Sequence, residues 1–210
     1  MQTYNFLSFS LWLTAITLFS NITLITTYNT YSSLSSTPLP TLPTPIPFSL
    51  LPTTYTPATH PQPATLIAQI LNTLSLYPLA IDGKNFSALS LVFTENIIAN
   101  YSPPIGVVSG LSNVMAVLQN SLAPVDTQHS YGTQVVIVEG DGEEGTARSL
   151  SYYTASQLGR GTHFGEVLYS YGQYQDTWVK VSDDKWRINT RNLIYMGPNI
   201  GNISVFTPQS

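Results

Sequence analysis

Cysteine is absent from the sequence, and charged residues are scarce. Without cysteine, a cytosolic protein and a secreted protein held by its core alone remain equally compatible with the composition. The formal charge of −4 is too small and too acidic to indicate a nucleic-acid-binding protein. The composition therefore favours a single domain with a hydrophobic core, and it predicts no nucleic-acid partner.

Charge is missing altogether from the first part of the chain, where no Asp, Glu, Lys or Arg precedes Asp82. Residues 6–20 form an apolar, uncharged run whose length suits the core of a signal peptide. No Lys or Arg precedes this run, and no small-x-small cleavage site follows it, so an uncleaved anchor extending to Ile25 is the alternative. We expect residues 1–26 to be a signal peptide or signal anchor. The protein would then be secreted or extracellular, and its only membrane contact would be an uncleaved anchor.

Proline is concentrated in the next region, since residues 37–63 hold nine of the 15 prolines between Thr, Ser and Leu. Proline fixes the backbone angle φ and removes a hydrogen-bond donor, so neither a helix nor a central strand is expected here. Residues 27–63 are therefore predicted to be a disordered, extended linker, either glycosylated on Ser and Thr or a plain spacer.

The remainder, residues 64–206, has the periodicity of a folded domain. Apolar residues at helical spacing predict helices over 66–77, where Pro78 should kink or end the helix, over 86–93, and over 109–122. Residues 96–102 then read as a strand, and four longer strands are predicted within 129–140, 145–158, 163–181 and 186–197. Three helices followed by an antiparallel meander predict an α+β fold, a cone-shaped curved sheet with helices against its concave face. Such a cone offers a mostly apolar pocket.

Four phrases in the right order carry a resemblance to a known family: "AIDGKNFSALSLVFTENIIANY", "SGLSNVMAVLQ", "DTQHSYGTQVVIVEGDGEEGTARSLSYY" and "GQYQDTWVKVSDDKWRINTRNL". Together they resemble the SnoaL-like family, within the nuclear transport factor 2-like superfamily of α+β cones. The resemblance implies a small-molecule pocket, and dimerisation through the outer face of the sheet is common in that superfamily.

Within that superfamily the chain also resembles the scytalone dehydratases, which remove water from a cyclic hydroxyketone in fungal melanin synthesis without a metal or cofactor. The resemblance places Asp82, Tyr101 and His129 at catalytic positions of that family. Ile81 stands where a tyrosine would precede the Asp. No His occurs near residues 154–156, where a second one would lie, and Gln175 falls near the position of an Asn.

The chemistry of these three side chains suits removal of water from a β-hydroxyketone. A neutral imidazole at His129 can take a proton next to the carbonyl, Asp82 can fix its tautomer, and Tyr101 can polarise the carbonyl. The function predicted is cofactor-independent dehydratase or isomerase chemistry on a small, apolar, cyclic or polyketide-like hydroxyketone. A non-catalytic ligand-binding module and a homodimerising interaction protein remain open as alternatives, with Asp82 as a turn residue and His129 as an ordinary strand residue.

Further side chains are predicted to line the pocket or to carry modifications. The predicted pocket-lining residues are Tyr152, Phe164, Tyr174, Gln175 and Trp178. Sequons predict glycosylation at Asn85, Asn100 and Asn202, while the sequon at Asn21 lies in the targeting segment. His163 is expected on the surface or rim. No metal-ligand spacing and no phosphate or dinucleotide loop occurs, so we expect neither a metal nor a cofactor.

Overall fold

The computed structural model of the protein describes residues 40–56, 62–140, 142, 145–181 and 185–206. The expected targeting segment, the sequon at Asn21 and residues 27–39 and 57–61 of the predicted linker lie outside the described residues.

Three α-helices occur in the described residues, and each is joined to the sheet by apolar contacts. They are α1 (Leu51–Thr54), α2 (Ala64–Asp82) and α3 (Leu111–Leu122). The sequence predicted that Pro78 would kink or end this helix, but α2 contains Pro78 and continues to Asp82. The predicted helix over 86–93 is instead a 3-10 helix, Phe86–Leu91. Within the described residues α2 alone is long and apolar enough to cross a membrane, yet its Ile70, Leu74 and Tyr77 are buried in the core.

The described strands form one curved sheet in the order β2-β1-β6-β5-β4-β3, and β7 pairs with β5. They are β1 (Phe93–Asn100), β2 (Val107–Ser109), β3 (Val125–Val138), β4 (Thr146–Gly159), β5 (Val167–Lys180), β6 (Trp186–Tyr195) and β7 (Ile200–Gly201). Strands β3 to β6 form the predicted antiparallel meander, and β1 joins β6 in parallel. The sequence analysis missed β2 and β7, which are only three and two residues long.

The main core lies between the helices and the inner, concave face of the sheet. Side chains alternate between the two faces of a strand, so on β5 the inner set includes Ser170, Tyr174 and Trp178. Burial of each large apolar side chain of this core contributes about 1.5–3 kcal/mol. The α+β class predicted from the sequence is confirmed.

The outer face of the sheet carries an unexpected layer, because residues 40–56 pack against it. Leu51 and Tyr55 are buried there with Ile137 and Leu150. From the sequence, this segment was predicted to be part of a disordered linker without a helix. The structure differs in two ways: one turn of helix, α1, forms with Pro52 in its first turn, where proline is tolerated, and the apolar side chains pack on the outer face of the sheet.

Candidate active site

A cavity of about 380 Å³ lies between α2, α3 and the inner face of strands β3 to β6. Its walls are mostly aromatic and aliphatic. Residues of the loop after β1 and of the C-terminal segment contribute further lining, among them Pro104, Ile105, Asn199, Ile203 and Phe206. A concave, mostly apolar cavity with a few polar groups is the usual form of a small-molecule site.

Asp82 and His129 meet at this cavity from different parts of the fold. Asp82 is the last residue of α2, and His129 lies on β3 and lines the cavity. Asp82 Oδ1 is 2.6 Å from His129 Nδ1, and Asp82 Oδ2 accepts a 2.8 Å hydrogen bond from the backbone N–H of His129. The hydroxyl of Thr127 donates to Asp82 Oδ1 at 2.9 Å. The carboxylate therefore uses both oxygens to hold one histidine in place.

The ionisation of Asp82 follows from these contacts. Burial by itself would raise the pKa of its carboxyl group, but the hydrogen bonds from the His129 side chain and backbone and from Thr127 outweigh burial and lower that pKa. Asp82 is therefore a carboxylate near neutral pH. Thr127 is itself supported by Lys84, whose Nζ donates to Thr127 Oγ1 at 3.3 Å and to the carbonyl of Leu122 at 3.1 Å.

The partner of Nδ1 determines the tautomer of His129. An ionised carboxylate accepts hydrogen bonds only, so Nδ1 carries the proton that points at Asp82. In the neutral ring, Nε2 is then the unprotonated nitrogen. Since His129 lines the cavity, Nε2 is the base available to a molecule inside it.

Tyr101 supplies an unused hydrogen-bond donor to the same cavity. It follows directly after β1, lines the cavity, and has a buried hydroxyl that makes no hydrogen bond of good geometry and interacts only with the side chain of Tyr77. Burial raises the pKa of Tyr101 well above its usual value, so the hydroxyl stays protonated. A buried donor without an acceptor is rare in folded proteins and marks a place where a ligand oxygen could bind. The structure thus places His129 and Tyr101 on one cavity, and Asp82 reaches that cavity only through its contact with His129.

A buried cation lies behind the aromatic wall of the cavity. Arg191 makes a two-pronged ion pair with Asp176, with N–O distances of 2.8 and 2.7 Å, and both side chains are fully buried. The guanidinium carbon is 4.3 Å from the ring centre of Tyr77 and 4.1 Å from that of Tyr174. These contacts hold the two cavity tyrosines against β5 and β6.

A polar group that the sequence analysis missed lies elsewhere in the cavity lining. Ser170 Oγ donates to Asn199 Oδ1 at 2.9 Å, and Gln157 Oε1 lies 3.4 Å from the same hydroxyl. Strand alternation could have identified two of these residues, because Gln157 is two positions beyond the cavity-lining Ala155, and Ser170 is on the same face of β5 as Tyr174. Their amide and hydroxyl groups can fix the orientation of a polar ligand.

Of the five predicted pocket-lining residues, Tyr174 lines the cavity, and the other four do not. Tyr152 packs on the outer face, where Gln175 binds the backbone of Ile46. Trp178 is on the inner face, but it is buried in the core and donates to Ser149 Oγ at 2.9 Å. Phe164 lies after a 3-10 helix and is 88% exposed. The structure corrects these four predictions. Tyr152 and Gln175 point to the outer face of the sheet. Trp178 lies too far along β5, and Phe164 is in a loop.

The remaining histidine and sequon predictions concern the surface. His163 bonds through Nδ1 to Glu166 Oε2 at 2.7 Å and is not among the residues that line the cavity. Among the sequons, Asn85 is exposed. Asn100 lies 3.4 Å from the Asn192 side chain, on the outer face, and Asn202 donates to Glu166 at 2.6 Å. Glycosylation at all three stays a prediction.

A metal site needs several ligand side chains close together. In the parts of the chain that the structure describes, no three His, Cys, Asp or Glu side chains lie close enough together to hold a metal ion.

Comparison with solved structures finds the same fold in several proteins of low sequence identity. A protein from Kribbella flavida is 19% identical, with a TM-score of 0.57 over 64% of this chain and 93% of that one. A candidate scytalone dehydratase from Novosphingobium aromaticivorans is 22% identical, with a TM-score of 0.56 over 66% of this chain and 89% of that one. A hexachlorocyclohexane dehydrochlorinase is 11% identical, with a TM-score of 0.57 over 70% of this chain and 95% of that one. At these identities the likeness establishes the fold alone.

A search of curated proteins finds no match. The model of the SnoaL-like domain family, however, matches residues 62–192, which include α2, α3 and every strand that lines the cavity except the last three residues of β6. The match covers more than half of the sequence and contains Asp82, Tyr101 and His129. The chain therefore belongs to the SnoaL-like domain family, on a nuclear transport factor 2-like α+β fold.

Proposed function

We propose that this protein is a cofactor-independent lyase or isomerase that acts by acid–base chemistry on a small cyclic hydroxyketone. The observation that carries the proposal is the pair formed by Asp82 and His129, in which a lowered-pKa carboxylate holds Nδ1 and leaves Nε2 to the cavity. The unpartnered hydroxyl of Tyr101 on the same cavity provides the complementary donor.

The reaction needs one base and one donor. Nε2 of His129 takes the proton from the carbon next to the ketone, and the charge that develops on the imidazole is stabilised by Asp82. The hydroxyl of Tyr101 donates a hydrogen bond to the ketone oxygen, where negative charge accumulates as the enolate forms. When the enolate collapses, the bond to the β-hydroxyl breaks, and the same Nε2–H gives its proton to the departing oxygen. The products are water and an α,β-unsaturated ketone, and the histidine returns to its neutral form.

The shape and lining of the cavity limit the substrate. A volume of about 380 Å³ lies within the usual range of small-molecule sites, roughly 300–1,000 Å³. The aromatic walls of Tyr77, Tyr153 and Tyr174 favour a flat, apolar ring system. Gln157, Ser170 and Asn199 can bind a second oxygen of the substrate.

Ligand binding without chemistry is the second candidate. It is favoured by one observation: among the described residues that line the cavity, His129 is the only imidazole and none is a carboxylate. A site of this kind would bind the same class of cyclic oxygenated molecule but would not turn it over.

The decisive experiment combines a substrate panel with a matched pair of variants. Cyclic β-hydroxyketones are incubated with the protein in D₂O, and proton NMR follows both deuterium uptake next to the carbonyl and the appearance of the alkene. In His129→Gln we expect the rate to fall by about 100-fold or more, because the general base is lost. The control, His163→Gln, removes the histidine of the other His–carboxylate pair and should change the rate less than about twofold.

The outcomes separate the two candidates. Equal rates in the protein and in His129→Gln would contradict the catalytic proposal. Binding of the ketones, seen as shifts of cavity resonances, with no exchange above the uncatalysed rate would favour the binding module.

A further inference from the structure

The outer face of the sheet carries a row of side-chain amides at the positions where the proline-rich segment crosses it. The row consists of Asn100 on β1, Asn192 on β6 and Gln175 on β5, which lie side by side on neighbouring strands. We call residues 40–56 the strap. Gln175 and Asn192 are almost fully buried.

Two members of the amide row, Asn192 and Gln175, bind the backbone of the strap, and the third, Asn100, bonds to Asn192. Asn192 Nδ2 donates to the carbonyl of Pro43 at 2.9 Å. Gln175 makes two hydrogen bonds to one residue, because its Oε1 accepts from the N–H of Ile46 at 2.7 Å and its Nε2 donates to the carbonyl of Ile46 at 2.9 Å. Pro43 and Ile46 are three residues apart, which is one turn of a polyproline II helix. The two contacts therefore fall on the same side of such a helix.

The local sequence of the strap suits this mode of recognition. Residues 40–47 form neither helix nor strand, and Pro47 has φ −59° and ψ 146°, which is the polyproline II region. In the sequence Pro45-Ile46-Pro47 the N–H of Ile46 is the only backbone donor, and Gln175 accepts it. The prolines fix the chain in its bound form before it binds, so little conformational entropy is lost on docking.

The C-terminal half of the strap adds an apolar anchor. Leu51 and Tyr55 are buried against Ile137 and Leu150. The hydroxyl of Tyr55 donates to the carbonyl of Ser149 at 3.2 Å, and burial raises the pKa of Tyr55 to about 12, so the hydroxyl stays a donor. Without the strap, the apolar side chains of this region would form an exposed patch.

We propose that the outer face of the sheet is a recognition site for a polyproline II chain and that its occupant is this chain's own strap, bound in cis. Backbone hydrogen bonds from the amide row select an extended proline-rich chain with a non-proline residue at the position of Ile46. The Leu51 and Tyr55 anchors set its direction and register. This site is on the opposite face of the sheet from the cavity, and it does not depend on the function proposed for the cavity.

The test is amide hydrogen exchange on the full chain with two matched proline substitutions. Ile46→Pro removes the N–H that Gln175 accepts and also the Ile46 side chain that packs beside Leu51 and Tyr55, so Gln175→Ala is the variant that removes the hydrogen bonds alone. Thr44→Pro also adds a proline to the strap, but at a residue whose backbone N–H makes no hydrogen bond to the amide row. We expect exchange at the amides of the strap, such as that of Tyr55, to become at least about tenfold faster in Ile46→Pro and to change less than about twofold in Thr44→Pro.

Two further measurements keep the result interpretable. The amides of β5 and β6 should keep their protection in Ile46→Pro, which shows that the domain is folded, and Gln175→Ala should reproduce the faster exchange of the strap. A strap that exchanges as fast as an unstructured peptide in the unmodified protein would overturn the proposal. Equal exchange in the two proline variants would overturn it as well.

A synthetic peptide of residues 40–56 distinguishes the source of the occupant. Added to the Ile46→Pro protein, this peptide should shift the side-chain amide resonance of Gln175, and the same peptide carrying Ile46→Pro should not. Light scattering should show a monomer whose strap protection is independent of concentration. A dimer whose strap protection disappears on dilution would place the strap of a second copy on this face and contradict binding in cis.

Discussion

Two histidine–carboxylate pairs in this protein have almost the same contact distance and very different surroundings. His129 and Asp82 are 2.6 Å apart, and His163 and Glu166 are 2.7 Å apart. The first pair joins residues 47 positions apart in the sequence, and the second joins residues three positions apart in a surface loop. The side chains of His129 and Asp82 are 8% and 23% exposed, whereas those of His163 and Glu166 are 21% and 43% exposed.

The difference shows that a short contact does not by itself make a functional site. Asp82 is held by three hydrogen bonds, and one of them comes from the backbone of the histidine that it orients. Its geometry is fixed by the meeting of α2 and β3. The contact between His163 and Glu166 can form and break with the loop, since water competes for both groups. Only His129 opens on the cavity.

The largest effect on folding is expected when the carboxylate of the cavity pair, Asp82, is neutralised. Asp82→Asn should lower the free energy of unfolding by about 2 kcal/mol at pH 7, because it removes a charged acceptor from three hydrogen bonds in a partly buried site. The matched change Glu166→Gln should alter the free energy of unfolding by less than about 0.5 kcal/mol. Urea unfolding of the two variants checks this. Equal losses would mean that burial and backbone support add nothing to the Asp82 pair.

The same pair of variants predicts a pH dependence. The pKa of Asp82 is lower in the folded protein than its usual value of 3.8, so the folded state favours the ionised form. This stabilisation is fully present above the unfolded pKa and is lost as the pH falls through the folded one. The difference between the unmodified protein and Asp82→Asn should therefore shrink as the pH falls below about pH 4. A difference that grows as the pH falls below about pH 4 would contradict the lowered pKa.

The smallest effect on folding is expected at Tyr101. Its hydroxyl makes no hydrogen bond of good geometry and interacts only with the side chain of Tyr77, so Tyr101→Phe should change the free energy of unfolding by less than about 0.5 kcal/mol. Turnover of a cyclic hydroxyketone should nevertheless fall, because the donor to the ketone oxygen is gone. Tyr152→Phe on the outer face is the control. Turnover that is unaffected by Tyr101→Phe would remove Tyr101 from the mechanism.

The fold class and the Asp82–His129 pair could be predicted from the sequence because both depend on patterns along the chain. Helical spacing and strand alternation predicted the α+β class and the meander. An Asp at the end of a helix, together with a His on a strand, gave the pair at the cavity through the family resemblance. These features are local or repeat at fixed intervals, so they survive without knowledge of the tertiary structure.

The residues that line the cavity were harder to predict from the sequence, because they depend on which face of the sheet each strand residue occupies. Tyr174 and Gln175 were both predicted to line the pocket. Adjacent residues of a strand point to opposite faces, so Tyr174 lines the cavity and Gln175 does not. Tyr153 lines the cavity where Tyr152 was predicted, for the same reason. The strap was missed on other grounds, since its order comes from contacts with Gln175 and Asn192, which are more than 100 residues away in the sequence.

The tautomer of His129 tests the central claim most directly. Nitrogen NMR of the labelled histidine rings, at a pH where the imidazoles are neutral, distinguishes a protonated Nδ1 from a protonated Nε2, and the spectra of His60→Gln and His163→Gln assign the signals of the three histidines. We predict that His129 carries its proton on Nδ1 with Nε2 unprotonated, and that Asp82→Asn removes this preference while leaving His163 unchanged. A neutral His129 with its proton on Nε2 would leave no base facing the cavity and would contradict the account.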